Sequence, residues 1–297
     1  MDYIGEASAI GAAIVWAIAT WIYGQFSHQF SAMQLNIVKG VIASAMMLVV
    51  IPFMPMPDDG WVMETGHFVI LAVSGVVGIA IGDSAYFAAL KRIGANKTLL
   101  LESLAPPLSG VLALVALGSE LSMQSWLGVV VTTAAVTFVV ITPSSTDQKA
   151  SMVGIGFGLL ASVCQASGVV ISHYALVAGD IPPLWGALIR LSIGVAAVAM
   201  VIRLLEPQPF SGIKRHWKGM NGKQHIKLLL AIFVGTFLAL WLQQIALKNA
   251  NPAIAQTLIA TSPLFILFIY GWNGERVSST SVIGTLAAVG GISLFFL

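Results

Sequence analysis

Residues 95–120 read ANKTLLLESLAPPLSGVLALVALGSE, and residues 250–275 read ANPAIAQTLIATSPLFILFIYGWNGE. Both segments begin with Ala-Asn, carry proline inside an apolar run and end in a glutamate, and they lie 155 residues apart. Each is followed by one further apolar run. Self-similarity at a fixed spacing indicates a repeated structural unit. The two segments therefore predict that the chain contains the same unit twice.

The repetition extends towards the start of each half. Lys39 and Arg190, two cations inside apolar runs, are 151 residues apart. Trp16 and Gln165 are 149 residues apart, and each follows a glycine by eleven residues. A spacing that drifts from 149 to 155 residues is what insertions in loops produce.

The composition predicts that most of the chain lies in lipid. Hydrophobic residues make up 58% and charged residues only 9%, against about 25% charged residues in soluble domains. A spanning helix needs about 20 apolar residues, and ten windows qualify. They are Ala7–Gly24, Met33–Pro52, Phe68–Leu90, Thr98–Leu117, Ser125–Ile141, Val153–His173, Leu184–Leu205, Ile226–Leu247, Pro252–Trp272 and Ser281–Leu297.

Five spans per half is an odd number, so the two halves must enter the membrane with opposite orientation. We therefore predict an all-α integral membrane protein with ten transmembrane helices. They form two inverted five-helix repeats, over residues 1–148 and 149–297. Inverted repeats recur in secondary transporters, where the substrate binds near the midplane between the halves.

The same sequence argues against several other classes. The basic residues are too sparse for a nucleic-acid groove. Cys164 is the single cysteine, which excludes an intramolecular disulfide and a cysteine-based zinc site. The histidines have no metal-binding spacing, and no phosphate-binding loop of a primary pump occurs. We expect no cofactor and no metal.

Basic residues also predict the orientation. The odd-numbered loops contain Lys91, Arg92, Lys97, Lys149, Arg203, Lys214, Arg215, Lys218, Lys223, Lys227 and Arg276. The opposite side has only Lys248. Because basic loops stay in the cytoplasm, this count places both termini outside.

Each half resembles the repeat of the EamA-type branch of the drug/metabolite transporter superfamily. The resemblance rests on a cation early in the second helix, a central proline in the fourth helix and a Gly-Glu-like motif at its end: Lys39 and Arg190, Pro106 and Pro263, Glu120 and Glu275. It implies a multi-pass carrier of the cell inner membrane, often an exporter of amino acids or related metabolites. It also implies cytoplasmic termini, which opposes the charge count.

Two carboxylates inside the spans are the main candidates for substrate binding or coupling. A charge at the bilayer centre costs about 3 kcal/mol on insertion scales. Asp83 could bind a proton or a cationic group of the substrate, or could be a satisfied carboxylate near a helix end. Glu102 lies one turn before Pro106, where a kinked helix suits a cavity; the alternative is an ion pair with Lys39 or Lys97.

Uncharged polar residues complete the predicted cavity. Gln165 and Gln256 are the amides expected to line it, whereas interhelical hydrogen bonds explain Gln243. Trp16 and Tyr86 are aromatic candidates for the same wall.

The repeat-related residues are predicted to have structural or gating roles. Their symmetric placement suggests that the cations pair with helix ends or with carboxylates, for which the glutamates that close the fourth helices are candidates. These residues are Lys39, Arg190, Glu120, Glu275, Pro106 and Pro263.

We weighed other functions of a helical membrane protein against transport. An intramembrane aspartyl protease needs a second carboxylate beside Asp83, but the other aspartates fall in loops or termini. A nucleotide-sugar or triose-phosphate carrier would need several cations facing its cavity. A receptor or scaffold is a further alternative. We predict a secondary active transporter, not an enzyme, whose partners are a small molecule, a proton and the lipid bilayer.

Overall fold

The computed structural model describes residues 3–54, 62–109, 123–141, 151–250, 252–275 and 277–296. Most of these residues are helical, and no strand occurs among them. The helices are α1 Ile4–Phe26, α2 Ala32–Val50, α3 Thr65–Gly75, α4 Ser84–Glu102, α5 Met123–Ile141, α6 Met152–Ala178, α7 Pro183–Leu205, α8 Pro209–Gly219, α9 Gly222–Ile232, α10 Ala239–Asn249, α11 Pro252–Ile259, α12 Ser262–Trp272 and α13 Ser279–Phe296.

Seven described helical stretches are long and apolar enough to cross a membrane. They are Ile4–Phe26, Ala32–Phe53, Thr65–Glu102, Met152–Ala178, Pro183–Leu205, Gly222–Asn249 and Ile254–Trp272. Two shorter apolar helices, Trp126–Val139 and Ser279–Leu294, accompany them. The chain is therefore a multi-pass α-helical membrane protein.

The stretch Thr65–Glu102 contains the third predicted window and the start of the fourth. They are separated at Gly94, whose φ of 78° and ψ of 170° are not helical. Glycine adopts positive φ without the steric penalty that a Cβ brings, so the chain can turn there. The end of the fourth predicted window, from residue 110 on, and Glu120 beyond it lie outside the described residues.

Local capping explains where several helices begin. Ser31 and Gln34 form a capping box at the start of α2, and Asn221 and Gln224 form one at the start of α9. Each box satisfies backbone N–H groups that the first helical turn leaves without partners.

Close helix contacts occur at equivalent places in the two halves. A Cβ on Gly5 of α1 would lie 2.6 Å from the Cβ of Ala250, and a Cβ on Gly154 of α6 would lie 2.7 Å from Ile93. Small residues allow membrane helices to approach this closely. As a result, α1 packs beside α10 and α6 packs beside α4.

Two long helices contain a π-helical segment. Val76–Asp83 joins α3 to α4, and Phe233–Leu238 joins α9 to α10. Asn36 of α2 donates a hydrogen bond of 2.8 Å to the carbonyl oxygen of Ile79 within the first segment. π-helical turns loosen the regular helical ladder and are frequent at functional sites.

The helices begin and end at two opposite sides of the bundle. At one, which we call the basic end, Glu206 after α7 accepts hydrogen bonds from Ser31 (2.5 Å) and Gln34 (2.9 Å) at the start of α2. At the other, the Asp180 end, Lys248 forms an ion pair of 2.7 Å with Asp180. Helix α8 lies at the basic end.

Candidate functional site

Two adjoining cavities, a smaller and a larger one, lie between the helices of the two halves. They share five lining residues: Trp16, Glu102, Gln165, Gln243 and Ile259. Residues of both halves therefore meet around the same pair of cavities.

Interrupted helices form one side of these cavities. α4 ends at Glu102, and a helix resumes after Leu104; α11 ends at Ile259, and α12 begins at Ser262. Proline has no N–H, so Pro106 and Pro263 leave the carbonyls four residues earlier without helical donors. The first such carbonyl belongs to Glu102. The second belongs to Ile259 and accepts from the Ser262 hydroxyl at 2.7 Å.

The Glu102 carboxylate is held by an aromatic donor from α1. The Trp16 Nε1–H donates to Glu102 Oε2 at 2.8 Å. Tyr86 packs against the Trp16 ring with centroids 5.1 Å apart, and its hydroxyl shares a 2.6 Å hydrogen bond with Thr20. Tyr86 thus supports Trp16 and is absent from the lining of both described cavities.

Asp83 forms an ion pair with Lys39 at the wall of the larger cavity. Lys39 is buried, and its ammonium lies 5.2 Å from the Phe87 ring centroid and 6.0 Å from that of Trp16. A buried pair needs close geometry to offset the loss of hydration. The pair is neutral as a unit, so Glu102, when ionised, supplies the net charge of this wall.

The second half contributes amides in place of charges. Gln165 of α6, Gln243 of α10 and Gln256 of α11 all line the smaller cavity. The Gln256 Oε1 accepts from Ser109 at 3.4 Å. Amide groups can both donate and accept hydrogen bonds, so this wall can bind polar groups of either kind.

The structure places Arg190 and Glu275 away from the two cavities and both prolines beside them. Arg190 is buried in α7, and its Nε and Nη1 have no hydrogen-bond partner among the described residues. Glu275 is exposed at the basic end, where it accepts from Trp21 Nε1 at 3.2 Å. Pro106 and Pro263 line the smaller cavity, and Glu120 lies outside the described residues. The partner of Lys39 is the Asp83 carboxylate.

Sequence reasoning missed two kinds of site residue. Asn36 also donates to the Ser84 hydroxyl at 3.0 Å, which ties the residue after Asp83 to α2. Its position three residues before Lys39 places it on the same helix face and could have identified it. Gln243 lines both cavities, whereas its sequence context predicts only an interhelical hydrogen bond. No group of three His, Cys, Asp or Glu side chains able to hold a metal occurs among the described residues.

A multi-pass helical bundle that encloses a polar cavity between its helices is the architecture of a membrane transporter. The sequence model of the EamA-like transporter family matches residues 3–141 and 152–297, and the chain belongs to this family. An uncharacterized transporter of Archaeoglobus fulgidus is 24% identical over 291 residues, which cover 97% of this chain and 96% of the relative. A crystal structure with 15% identity superposes with a TM-score of 0.70 over 99% of this chain and 96% of that chain, so the two share a fold.

Proposed function

We propose that the protein is a secondary active exporter of small metabolites that carry an ammonium group, such as amino acids, in the cell inner membrane. The observation that carries this proposal is the cavity wall in which Glu102 and the Asp83–Lys39 pair face the amides of the other half. A carboxylate can bind an ammonium group or a proton in the same place. This makes exchange of the two ligands possible.

The proposal includes ten spans arranged as two inverted repeats, residues 1–148 and 149–297. Three observations support the repeats. The family model matches the chain twice, the two π-helical segments begin 157 residues apart, and the helix breaks before Pro106 and Pro263 are also 157 residues apart. Inverted repeats with broken helices at the binding site are typical of secondary transporters.

Alternating access would follow from a rocking motion of one half against the other. The π-helical segments and the breaks beside the prolines are the places where these helices can bend. A ligand can shift the balance between two conformations only if it binds one of them more tightly. We propose that Glu102 supplies this difference, since its bond to Trp16 connects α1 to the point where one interrupted helix breaks.

The charge of the cavity lining favours a small ammonium-bearing metabolite over the runner-up, a nucleotide sugar or triose phosphate. Lys39 is the one described cation that lines the cavities, and it is paired with Asp83. An anionic phosphate would therefore meet Glu102 without an available cation.

Transport by reconstituted variants tests the proposal. In proteoliposomes loaded with a panel of labelled amino acids and a pH-sensitive dye, we expect Glu102→Gln and Asp83→Asn to reduce flux at least tenfold. Glu102→Gln should also abolish its dependence on a pH gradient. Glu64→Gln, the same change at an exposed carboxylate, is the matched control and should transport normally. If both cavity variants kept full, pH-sensitive flux, the coupling role would be wrong.

A further inference from the structure

We propose that the outer face of α2 binds one anionic phospholipid, with its headgroup held by α8 and its acyl chain lying along α2. Beside α2 and α8 lies an apolar groove, and a second one continues along α2 towards the segment that joins α9 to α10. Val41 and Ile42 line both grooves. The two therefore form one continuous surface, which we call the α2 groove.

The length of the α2 groove suits an acyl chain. Its α2 residues run from Ile37 to Val50, which is about 20 Å at 1.5 Å per residue. One leaflet of the hydrocarbon core is about half of 30 Å thick. The floor is apolar throughout, and Val41 is 54% exposed at its centre. The deep end is closed by Phe233 and Phe237, which stack with centroids 5.4 Å apart.

The mouth of the α2 groove has the chemistry of an anion-binding site. Lys214 and Lys218 line it beside the aromatic ring of Trp217. Both lysines are exposed, and neither forms an ion pair with a described residue. The nearest described acid in the chain, Glu206, already accepts hydrogen bonds from Ser31 and Gln34. Two cations without an ion-pair partner in the described part of the chain therefore lie at the mouth of an apolar groove, where a phosphodiester headgroup would supply an anion.

Helix α8 is held firmly enough to present this site. Gly212 lies on Gln34 of α2, where a Cβ would come within 3.0 Å of the amide nitrogen. His216 meets the Phe30 ring with centroids 5.4 Å apart, and Trp217 meets the His225 ring at 4.9 Å. An amphipathic helix with basic and aromatic residues is typical of the membrane interface. Here the contacts fix it against the groove that an acyl chain would occupy.

Native mass spectrometry of the full-length protein tests this site. We expect phosphatidylglycerol to remain bound and phosphatidylcholine with the same acyl chains to dissociate. Lys214→Gln/Lys218→Gln should weaken phosphatidylglycerol binding at least tenfold, since each surface lysine contributes to attraction of anionic lipid. Val41→Trp, which fills the groove without changing charge, should also abolish binding. The matched control Lys223→Gln/Lys91→Gln removes two charges outside the groove and should bind normally.

Several results would overturn the proposal. If phosphatidylcholine were retained equally, lipid binding would not depend on headgroup charge. If the control variant lost phosphatidylglycerol equally, binding would depend on the net charge of the protein and not on Lys214 and Lys218. Displacement of the lipid by inorganic phosphate alone would indicate an anion site without an acyl chain. A lipid-free dimer that Val41→Trp dissociates would make the groove an interface between two copies of the chain.

Discussion

At the scale of single residues, the ion pair of Lys39 and Asp83 is expected to affect stability strongly. The side chain of Lys39 is 2% exposed and that of Asp83 is 18% exposed. Removing one partner of a buried pair leaves an uncompensated charge, which typically destabilises a protein by about 3–5 kcal/mol. We therefore expect Lys39→Met and Asp83→Asn each to lower the melting temperature in detergent strongly, and the double variant to recover most of the loss.

The pair formed by Lys248 and Asp180 provides the matched control. Its side chains are 24% and 74% exposed, and exposed pairs contribute about 0–1 kcal/mol. The corresponding cycle with Lys248→Met and Asp180→Asn should give little coupling. If the two cycles gave equal coupling free energies, the Lys39–Asp83 pair would contribute no more to stability than an exposed pair.

The sequence could predict which charged residues lie at the cavities better than it could predict their partners. Lipid penalises charged groups in apolar runs, so Asp83, Glu102 and Lys39 stand out in the sequence on that ground. Their pairing depends on which helices lie side by side, and hydropathy does not contain that information. The sequence therefore predicts a carboxylate partner for Lys39 without deciding which one, and the structure identifies it as Asp83.

At the scale of helical elements, Gly94 allows the backbone turn inside the stretch Thr65–Glu102. Its φ of 78° with ψ of 170° is a conformation that L-residues rarely adopt, and no atom lies within 4 Å of a Cβ built there. Gly94→Ala would therefore impose backbone strain of about 1–3 kcal/mol without any steric clash. We expect a lower melting temperature and reduced transport, because the chain must turn between the two parts of this long stretch.

Gly156 in α6 is the control for that prediction. A Cβ there also meets nothing within 4 Å, but the residue is inside a regular helix. Alanine is favoured over glycine in a helix by up to about 1 kcal/mol, so Gly156→Ala should be neutral or stabilising. Destabilisation by Gly156→Ala but not by Gly94→Ala would contradict the proposed role of the turn.

Hydropathy located the apolar elements well but not their irregularities. Windows of about 20 apolar residues follow from the thickness of the bilayer, and each predicted window overlaps a described helix. The π-helical segments depend on single side chains of other helices, such as Asn36 on the Ile79 carbonyl. The break at Ala260–Thr261 depends on the missing N–H of Pro263. Of these irregularities, the sequence could predict only the helix break, from its proline.

At the scale of the whole molecule, the two halves share a plan but not their chemistry. Glu102 in the first half occupies the place of Ile259 in the second, before the proline of each interrupted helix. Trp16 and Gln165 are related in the same way. In the proposed mechanism, the two repeats would supply the moving backbone, and the charged wall of the first half alone would bind the ligand.

The distribution of charge between the two ends predicts how the protein sits in the membrane. Described cations at the basic end are Lys91, Arg92, Arg203, Lys214, Arg215, Lys218, Lys223 and Lys227, whereas Lys248 at the Asp180 end is paired. Basic loops stay in the cytoplasm, so we expect the basic end inside and both termini outside. In a Cys164→Ser background, an impermeant thiol reagent added to intact cells should label Asp180→Cys and spare Lys223→Cys. Inside-out vesicles should give the reverse. Labelling of both sites from one side would show that α7 does not span the membrane between them, and the opposite pattern would favour the cytoplasmic termini that the family resemblance implies.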